Sequence, residues 1–420
     1  MSFLKSSPTL KERRKCMSTS LLYHGFGIYG YQYVRTFYRH GAIWFKIKKD
    51  RLSLRCPVCN SWKLILRGSI SRLFRALPIG KKPVFVECPI QRVECRTCGI
   101  IRQVKISFAN ERRSYTKAFE RYALERSKHM TISDVANHLG ISWDTIKDIQ
   151  KRYLKRRFSR PKLNKLSLIA IDEISIGRGH RYLTVVLDLK TGAVVFVGDG
   201  RGVASLKPFW RRLNACNACI EAVAMDMSPA YISAVKENLP DAAIVFDQFH
   251  IVKIFNDKLA ELRRSLQRDA EDSSQQKVLK GTRWLLLKNP DNLKEQLNEH
   301  QRLQAALELN KPLATAYYMK EDLRLIWNQK NKAAAESCLT DWIERAKISE
   351  IRILKDMADS IEKHKEGILA YYDFPISTGP LEGTNNKIKT LQRQAYGFRD
   401  MEFFKLKIYA LHLTKYALTG

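Results

Sequence analysis

No stretch of this 420-residue sequence approaches the roughly 18 uninterrupted apolar residues that a membrane-crossing helix needs. Insertion as a membrane-crossing helix is therefore not expected. Met1 to Cys16 is polar and basic without an apolar h-region, and Leu21 to Tyr33 is broken by His24, Gly25, Gly27 and Gly30, so no secretion signal is expected. Acidic side chains are scarce: 42 Asp and Glu stand against 74 Lys and Arg, a formal net charge of +32. Cysteine is also sparse, nine residues with several in C-x-x-C pairs. That usage argues against a disulfide framework and for metal ligation in a reducing cytoplasm. Neither an internal repeat nor a low-complexity tract is present.

What is there suits a DNA-associated protein. The basic residues recur along the whole chain, as expected for a partner that is a polyanion. With 45% hydrophobic and 10% aromatic residues the chain can pack two or more domains.

Hydropathy patterning divides the chain. Residues 17 to about 110 hold short strand-like runs, Tyr31–Phe37, Ala42–Lys48 and Pro83–Glu87, around two cysteine pairs. From about Ser114 to Arg157 the period becomes helical and three helices are expected. Past the Arg160-Pro161-Lys162 break, apolar runs and turns predict the order βββαβαβ, with runs ending on Asp172, Asp226 and Asp247. His250 to about Tyr371 is helical in pattern, with Trp284, Trp327 and Trp342 as packing anchors. A final basic helical segment follows Gly379-Pro380 and carries Glu382. The expected domains are a zinc-ribbon-like β module over 1–110, a helix-turn-helix over 111–160, a catalytic core over 161–249 and 373–420, and an all-helical segment over 250–372.

Cys56-Pro-Val-Cys59 and Cys95-Arg-Thr-Cys98 form two knuckles able to hold one structural Zn²⁺. The 35 residues between them (95 − 59 − 1) exceed the common ribbon spacing, and Cys88 leaves open which thiol serves the second knuckle. Cys216 and Cys219 stand without a second pair and are expected to pack in a core. Thr131 and Ser142 are placed to cap two successive helices joined at Gly140. The second helix ends among Lys147, Lys151, Arg152, Lys155 and Arg156, a set suited to DNA phosphates.

Asp172 and Asp226, each closing an apolar strand-like run, would face a common edge if their strands are neighbours, and Glu382 would join them from a later helix. Three such carboxylates suit two Mg²⁺ ions and phosphodiester chemistry. Asp247 and His250 are accessory candidates, with capping of the next helix as the plainer role for Asp247. Glu173 should point to the opposite face of its strand. Lys387, Lys389 and Arg393 are further candidate DNA contacts.

The residues Met17 to His24, Cys56 to Cys59, Cys95 to Cys98, Ile171-Asp172-Glu173, Met225 to Ser228, Phe246 to Lys253 and Gly379 to Lys387 together resemble the ISL3 family of insertion-sequence transposases. Met1 to Cys16 precedes the family pattern, making Met17 an alternative start. The resemblance implies a DDE catalytic domain of RNase H-like α/β fold, with Asp172, Asp226 and Glu382 as the Mg²⁺-binding triad. It also implies a helical insertion before the helix of Glu382, and makes Asp247 and His250 the counterpart of a (C/D)-x-x-H signature. The expected function is binding of terminal inverted repeats followed by strand cleavage and transfer to target DNA, by a homo-oligomer on double-stranded DNA in a bacterial cytoplasm, at the nucleoid. The competing readings are a zinc and helix-turn-helix regulator with an inactive nuclease-like domain, and a nuclease or resolvase without strand transfer.

Overall fold

The computed structural model describes residues 20–412 except 178 and 271. The segment Met1 to Cys16, the alternative start at Met17 and the chain beyond His412 lie outside these residues. The chain divides into two compact units, with the break after Tyr153.

In the first unit a short helix, α1 (Leu21–His24), precedes β1 (Tyr31–Arg39) and β2 (Ala42–Lys49). A long hairpin, β3 (Leu64–Ile79) and β4 (Lys82–Cys95), and a short β5 (Ile101–Gln103) follow. The sheet order is β1-β2-β4-β3, with β5 also on β4. Alternation along β2 and β4 sends Ile43, Phe45, Ile47, Val84 and Val86 into one core with Phe74 and Phe108. The strand β3 was not among the expected elements, and it explains the long gap between the cysteine pairs. The gap is a hairpin whose turn places Gly80 at φ 59°, open to glycine without a Cβ penalty.

The hairpin returns the second knuckle to the first. Sγ atoms of Cys56 and Cys98 lie 3.7 Å apart, those of Cys59 and Cys95 3.5 Å apart, and all four fall within 4.8 Å of one another. Thiolates about 2.3 Å from a tetrahedral zinc stand about 3.8 Å from each other, so the set fits one ion. Cys88 is not part of it: its side chain is in the sheet core, and burial pushes the thiol up to about 12.

Three helices complete this part of the chain, α2 (Lys117–Arg126), α3 (Ile132–Leu139) and α4 (Trp143–Phe158), the last running across the break between units. The caps are those the sequence predicts. Thr131 Oγ1 accepts from Asp134 N at 3.1 Å, Ser142 Oγ accepts from Thr145 N at 3.3 Å, and Gly140 takes the left-handed conformation between them. Ile132, Val135, Ala136, Leu139, Ile146 and Ile149 are buried.

The second unit is built on β6 (Leu168–Gly177), β7 (Arg181–Asp188), β8 (Val194–Asp199), α5 (Val203–Asn214), β9 (Ala222–Met225), α6 (Pro229–Asn238) and β10 (Ala243–Phe246), in the expected order βββαβαβ. The sheet order is β10-β9-β6-β7-β8. The first three strands form an antiparallel meander, while β9 runs parallel to β6 and β10 parallel to β9. Cys216 packs half-buried against the core, as expected, whereas Cys219 is exposed because it lies past α5 in the turn toward β9.

Helices then follow without strands: α7 (Gln248–Asp269), α8 (Ser273–Gly281), α9 (Arg283–Leu287), α10 (Glu299–Glu308), α11 (Lys311–Leu325), α12 (Lys332–Ile348), α13 (Arg352–Lys363) and α14 (Lys365–Leu369). Trp342 is their fully buried centre, donating Nε1 to Met319 O at 2.7 Å and packing edge-on to Phe255. Trp327 is buried as well. Trp284 departs from expectation: it is 66% exposed, because α9 turns Leu285 and Leu286 inward and leaves the indole under the Arg283 guanidinium. The chain returns to the sheet through α15 (Gly379–Gln394) and α16 (Met401–Ala410), the latter fixed on β8 by Tyr409 Oη accepting from Val197 N. Among the described residues no helix is long and apolar enough to cross a membrane.

Two outcomes follow from this packing. Purified protein should carry one zinc per chain by metal analysis, and Cys56→Ser with Cys95→Ser should lose it; zinc retained in the double variant would place the ion elsewhere. Trp342→Ala should cost about 3–5 kcal/mol by denaturant unfolding, since it empties a fully buried indole site and orphans the Met319 carbonyl. A loss below about 1 kcal/mol would show that the helical segment does not depend on that anchor.

Candidate functional site

Strand register decides where the aspartates stand. In the β6/β9 ladder Leu168 pairs with Ala222 and Ala170 with Ala224, an offset of 54 (222 − 168). The same offset carries Asp172 to Asp226 (226 − 172 = 54), just past the last paired residues. In the β9/β10 ladder Ala222 pairs with Ala243 and Met225 with Phe246, an offset of 21, and it carries Asp226 to Asp247 (247 − 226 = 21). Three carboxylates therefore stand in one row at the carboxyl ends of three neighbouring parallel strands, where open α/β sheets present their crevice. Asp172 is not at the end of its own strand: β6 continues to Gly177 against β7, and only its parallel pairing stops there.

The helix α15 crosses this row. Asn385 Nδ2 donates to Asp172 Oδ2 at 2.8 Å, and Thr378 Oγ1 donates to Asp247 Oδ2. Glu382 lies four residues after Thr378 and three before Asn385, so the three share one helical face. Asn385 and Thr378 are buried, while Glu382, in the first turn, is exposed. Asp247 occupies the N-cap position of α7 but makes no side-chain cap bond, so its carboxylate serves the contact with α15 instead of the capping role.

Electrostatics single out Asp172. Burial, reinforced by the nearby charges of Asp226 and Glu173, pushes its carboxyl up to about 6 against the opposing Glu173 N–H, 2.7 Å from Oδ1, and His250. A carboxylate this costly to ionise gains from a cation beside it. Asp226 Oδ1 accepts from Ser228 N at 3.1 Å. Glu173 pairs in register with Thr184; burial, and after it the Glu173 charge, raise the neighbouring Tyr231 phenol, which bonds Thr184. It thus faces the α5/α6 side of the sheet, away from Asn385. Among the described residues the four cysteines are the only group of three or more His, Cys, Asp and Glu ligand atoms all within 4.8 Å. Asp172, Asp226 and Glu382 are brought to one edge but not drawn that close.

The basic residues fall into two kinds. Arg152 turns inward: its Nη2 lies 2.5 Å from Tyr115 Oη and 3.3 Å from Glu120 Oε1, and its guanidinium lies over the Tyr115 ring. Glu120, nearly buried, engages this charge and leaves Arg152 half-buried, where the neighbouring Arg156 is exposed. Lys147 sits over the Trp143 ring and Lys155 pairs with Glu402 at 2.7 Å on the surface. Arg156, Lys387, Lys389 and Arg393 are exposed. Sequence reasoning gave Asn385 and Thr378 no roles of their own. The signal was present in their spacing from Glu382, but only the fold shows what they reach.

Three family models match successive parts of the chain: "zinc-finger of transposase IS204/IS1001/IS1096/IS1165" over residues 53–98, "Helix-turn-helix domain of transposase family ISL3" over 104–154, and "Transposase" over 169–408. The chain is 31% identical over 400 residues to the transposase for insertion sequence element IS1001 of Bordetella parapertussis, covering 94% of this chain and 98% of that protein. It is also 31% identical over 374 residues to the transposase for insertion sequence element IS1557 of Mycobacterium tuberculosis, covering 82% of each. The solved Drosophila P element transposase strand transfer complex aligns at a TM-score of 0.37 and 13% identity, over 70% of this chain and 92% of that one, too distant to bear on the reading. The near full-length relationship to the IS1001 protein, together with the three matched regions in the same order as the zinc site, the helix pair and the aspartate row, shows that the chain belongs to the ISL3 family of insertion-sequence transposases.

Proposed function

We propose that this transposase binds the terminal inverted repeats of its element through the zinc module and helix-turn-helix, and cuts and rejoins DNA at the aspartate row. The observation that carries the reading is the shared register of Asp172, Asp226 and Asp247 beneath the helix of Glu382. A meander followed by two parallel strands, in the order β10-β9-β6-β7-β8, supports an RNase H-like catalytic core. In this reading residues 161–249 and 373–420 make the core and 250–372 an insertion within it.

Asp172, Asp226 and Glu382 would hold two Mg²⁺. When bound, the ions lower the pKa of an attacking water or 3′-hydroxyl and neutralise charge on the leaving oxygen. The chain's own groups do the rest. Asn385 holds one oxygen of Asp172, fixing the direction of the other, and Thr378 ties the start of α15 to Asp247 so that Glu382 is presented to the row. His250, whose charge favours ionised Asp172, is positioned to assist at the same edge. Lys387, Lys389 and Arg393, exposed on the Glu382 helix, would lie along the phosphates of the strand being cut, while Lys147, Lys151, Lys155 and Arg156 serve end binding. The assembled form would be a homo-oligomer on DNA.

Asp172→Asn, Asp226→Asn and Glu382→Gln should each abolish Mg²⁺-dependent cleavage and strand transfer on DNA carrying the element's ends, with gel-shift affinity retained. Glu173→Gln should be mild. Asn385→Ala should lower cleavage by about 10- to 100-fold and raise the Mg²⁺ concentration needed for half-maximal rate, the range seen when a metal ligand's orienting partner is removed. Cleavage retained in all three carboxylate variants would place the chemistry on other residues, and a wild-type protein that binds the ends but does not cut them would favour the regulator reading. Cleavage without joined products would favour a nuclease or resolvase.

A further inference from the structure

The sheet of the first unit has two unlike faces. One is the apolar core. The other carries Arg35, Phe37 and Arg39 of β1 and Trp44, Lys46 and Lys48 of β2, the residues that alternate with Ile43, Phe45 and Ile47 of the core. Phe37 pairs with Trp44 and Arg35 with Lys46. The Phe37 and Trp44 rings stack at 5.6 Å and 23°, Trp44 continues onto Phe85 of β4 at 5.0 Å, and Arg35 lies over Phe37 at 5.4 Å.

At the β3 end the same face is covered. Arg75 lies over Phe85, reaches the Phe119 ring of α2 and donates to Leu139 O at the end of α3. The helix-turn-helix therefore packs on one end of a face whose β1/β2 end is open, with Arg35, Arg39 and Lys48 exposed. Lys46 is matched by Glu87 at 3.3 Å, but among the described residues Arg35, Arg39 and Lys48 form no ion pair.

We propose that this open face is a second DNA-binding surface, taking the phosphate backbone of duplex DNA that flanks the segment bound by the helix-turn-helix. The inference rests on the DNA-binding reading above and adds a surface to it. Charge complementarity selects the occupant: three unmatched cations stand on a flat, half-apolar floor with one acidic neighbour already engaged. The ring geometry selects phosphate over base. The Phe37 ring is engaged by both Trp44 and Arg35, and the Trp44 ring by both Phe37 and Phe85, so these rings are already occupied with one another and make a poor stacking platform for an unpaired base. Contacts of this kind position a duplex and carry no sequence information.

The test uses the full-length, zinc-loaded protein. Affinity is measured across a salt series for a duplex carrying the terminal repeat with its flank, a scrambled duplex of equal length, and the single strand of the former. Arg35→Ala/Arg39→Ala/Lys48→Ala should weaken both duplexes by the same factor and flatten the slope of log K against log salt by about two to three, near 0.9 for each phosphate no longer neutralised. Zinc content and thermal midpoint should match wild type. The charge-keeping triple Arg35→Lys/Arg39→Lys/Lys48→Arg should bind as wild type. An unchanged slope in the alanine triple, a loss confined to the terminal-repeat duplex or to the single strand, or an equal loss in the charge-keeping triple would overturn the proposal while leaving the transposase reading in place. Failure of the wild-type protein to bind either duplex would overturn both.

Discussion

The parallel register of β6, β9 and β10 is the constraint on which the catalytic proposal depends. Two constant offsets, 54 and 21 residues, set Asp172, Asp226 and Asp247 in one row. A slip of one residue in either ladder would turn an entire strand over, sending its aspartate to the other face and exchanging the residues packed on its two sides. The register is held by that burial: Val223, Ala224, Met225, Ile169, Ile171 and Val245 are all almost completely inaccessible. Core packing and site geometry are thus one specification. The cost appears at Asp172, whose burial resists ionisation and whose second oxygen is held by Asn385.

The helix α15 turns a row of carboxylates into a site with one open side. Its two hydrogen bonds to the row, from Thr378 and Asn385, flank Glu382 on a single face. Its apolar residues Leu381, Ile388 and Leu391 are buried. Glu382 in the first turn and Arg393 in the last also follow the helix macrodipole, so the charges proposed to meet metal and phosphate stabilise the element that presents them. The macrodipole and these charges agree within the helix; the unfavourable terms at the row are the burial of Asp172 and of Asn385 Oδ1, which has no hydrogen-bond partner among the described residues.

Much of this was legible in the sequence because the signals were local. Apolar runs ending on aspartate gave the strands, Thr131, Gly140 and Ser142 gave the helix pair, and two C-x-x-C pairs gave the zinc site. What was not legible depended on surroundings. Every residue of β3 from Leu66 to Ser71 is exposed, on both faces of the strand, so no apolar-in, polar-out alternation reached the level of a strand signal, and its partner β4 alone was seen in part. Trp284 carries the same side chain as Trp342, but it lies on a helix with two leucines on the other face, and only one face could be buried. Asp247 has the sequence position of a cap and the contact of a strut, a distinction made by Thr378, 131 residues away.

The surplus of positive charge, uniform along the sequence, becomes selective in the fold. Arg152 is paired with Glu120, Lys46 with Glu87 and Lys405 with Asp199. These pairs use up part of a limited supply of acid, and at the surface each contributes at most about 1 kcal/mol to stability. Their larger effect is to remove cations from the field that DNA would meet. Exposed cations without an acidic partner among the described residues include Arg35, Arg39 and Lys48 on the open face of β1 and β2 and Lys387, Lys389 and Arg393 along α15. A polyanion approaching through water at physiological salt senses charge within about 8 Å, so in the DNA-binding reading proposed above the placement of such cations, more than the total of +32, would decide where DNA is held.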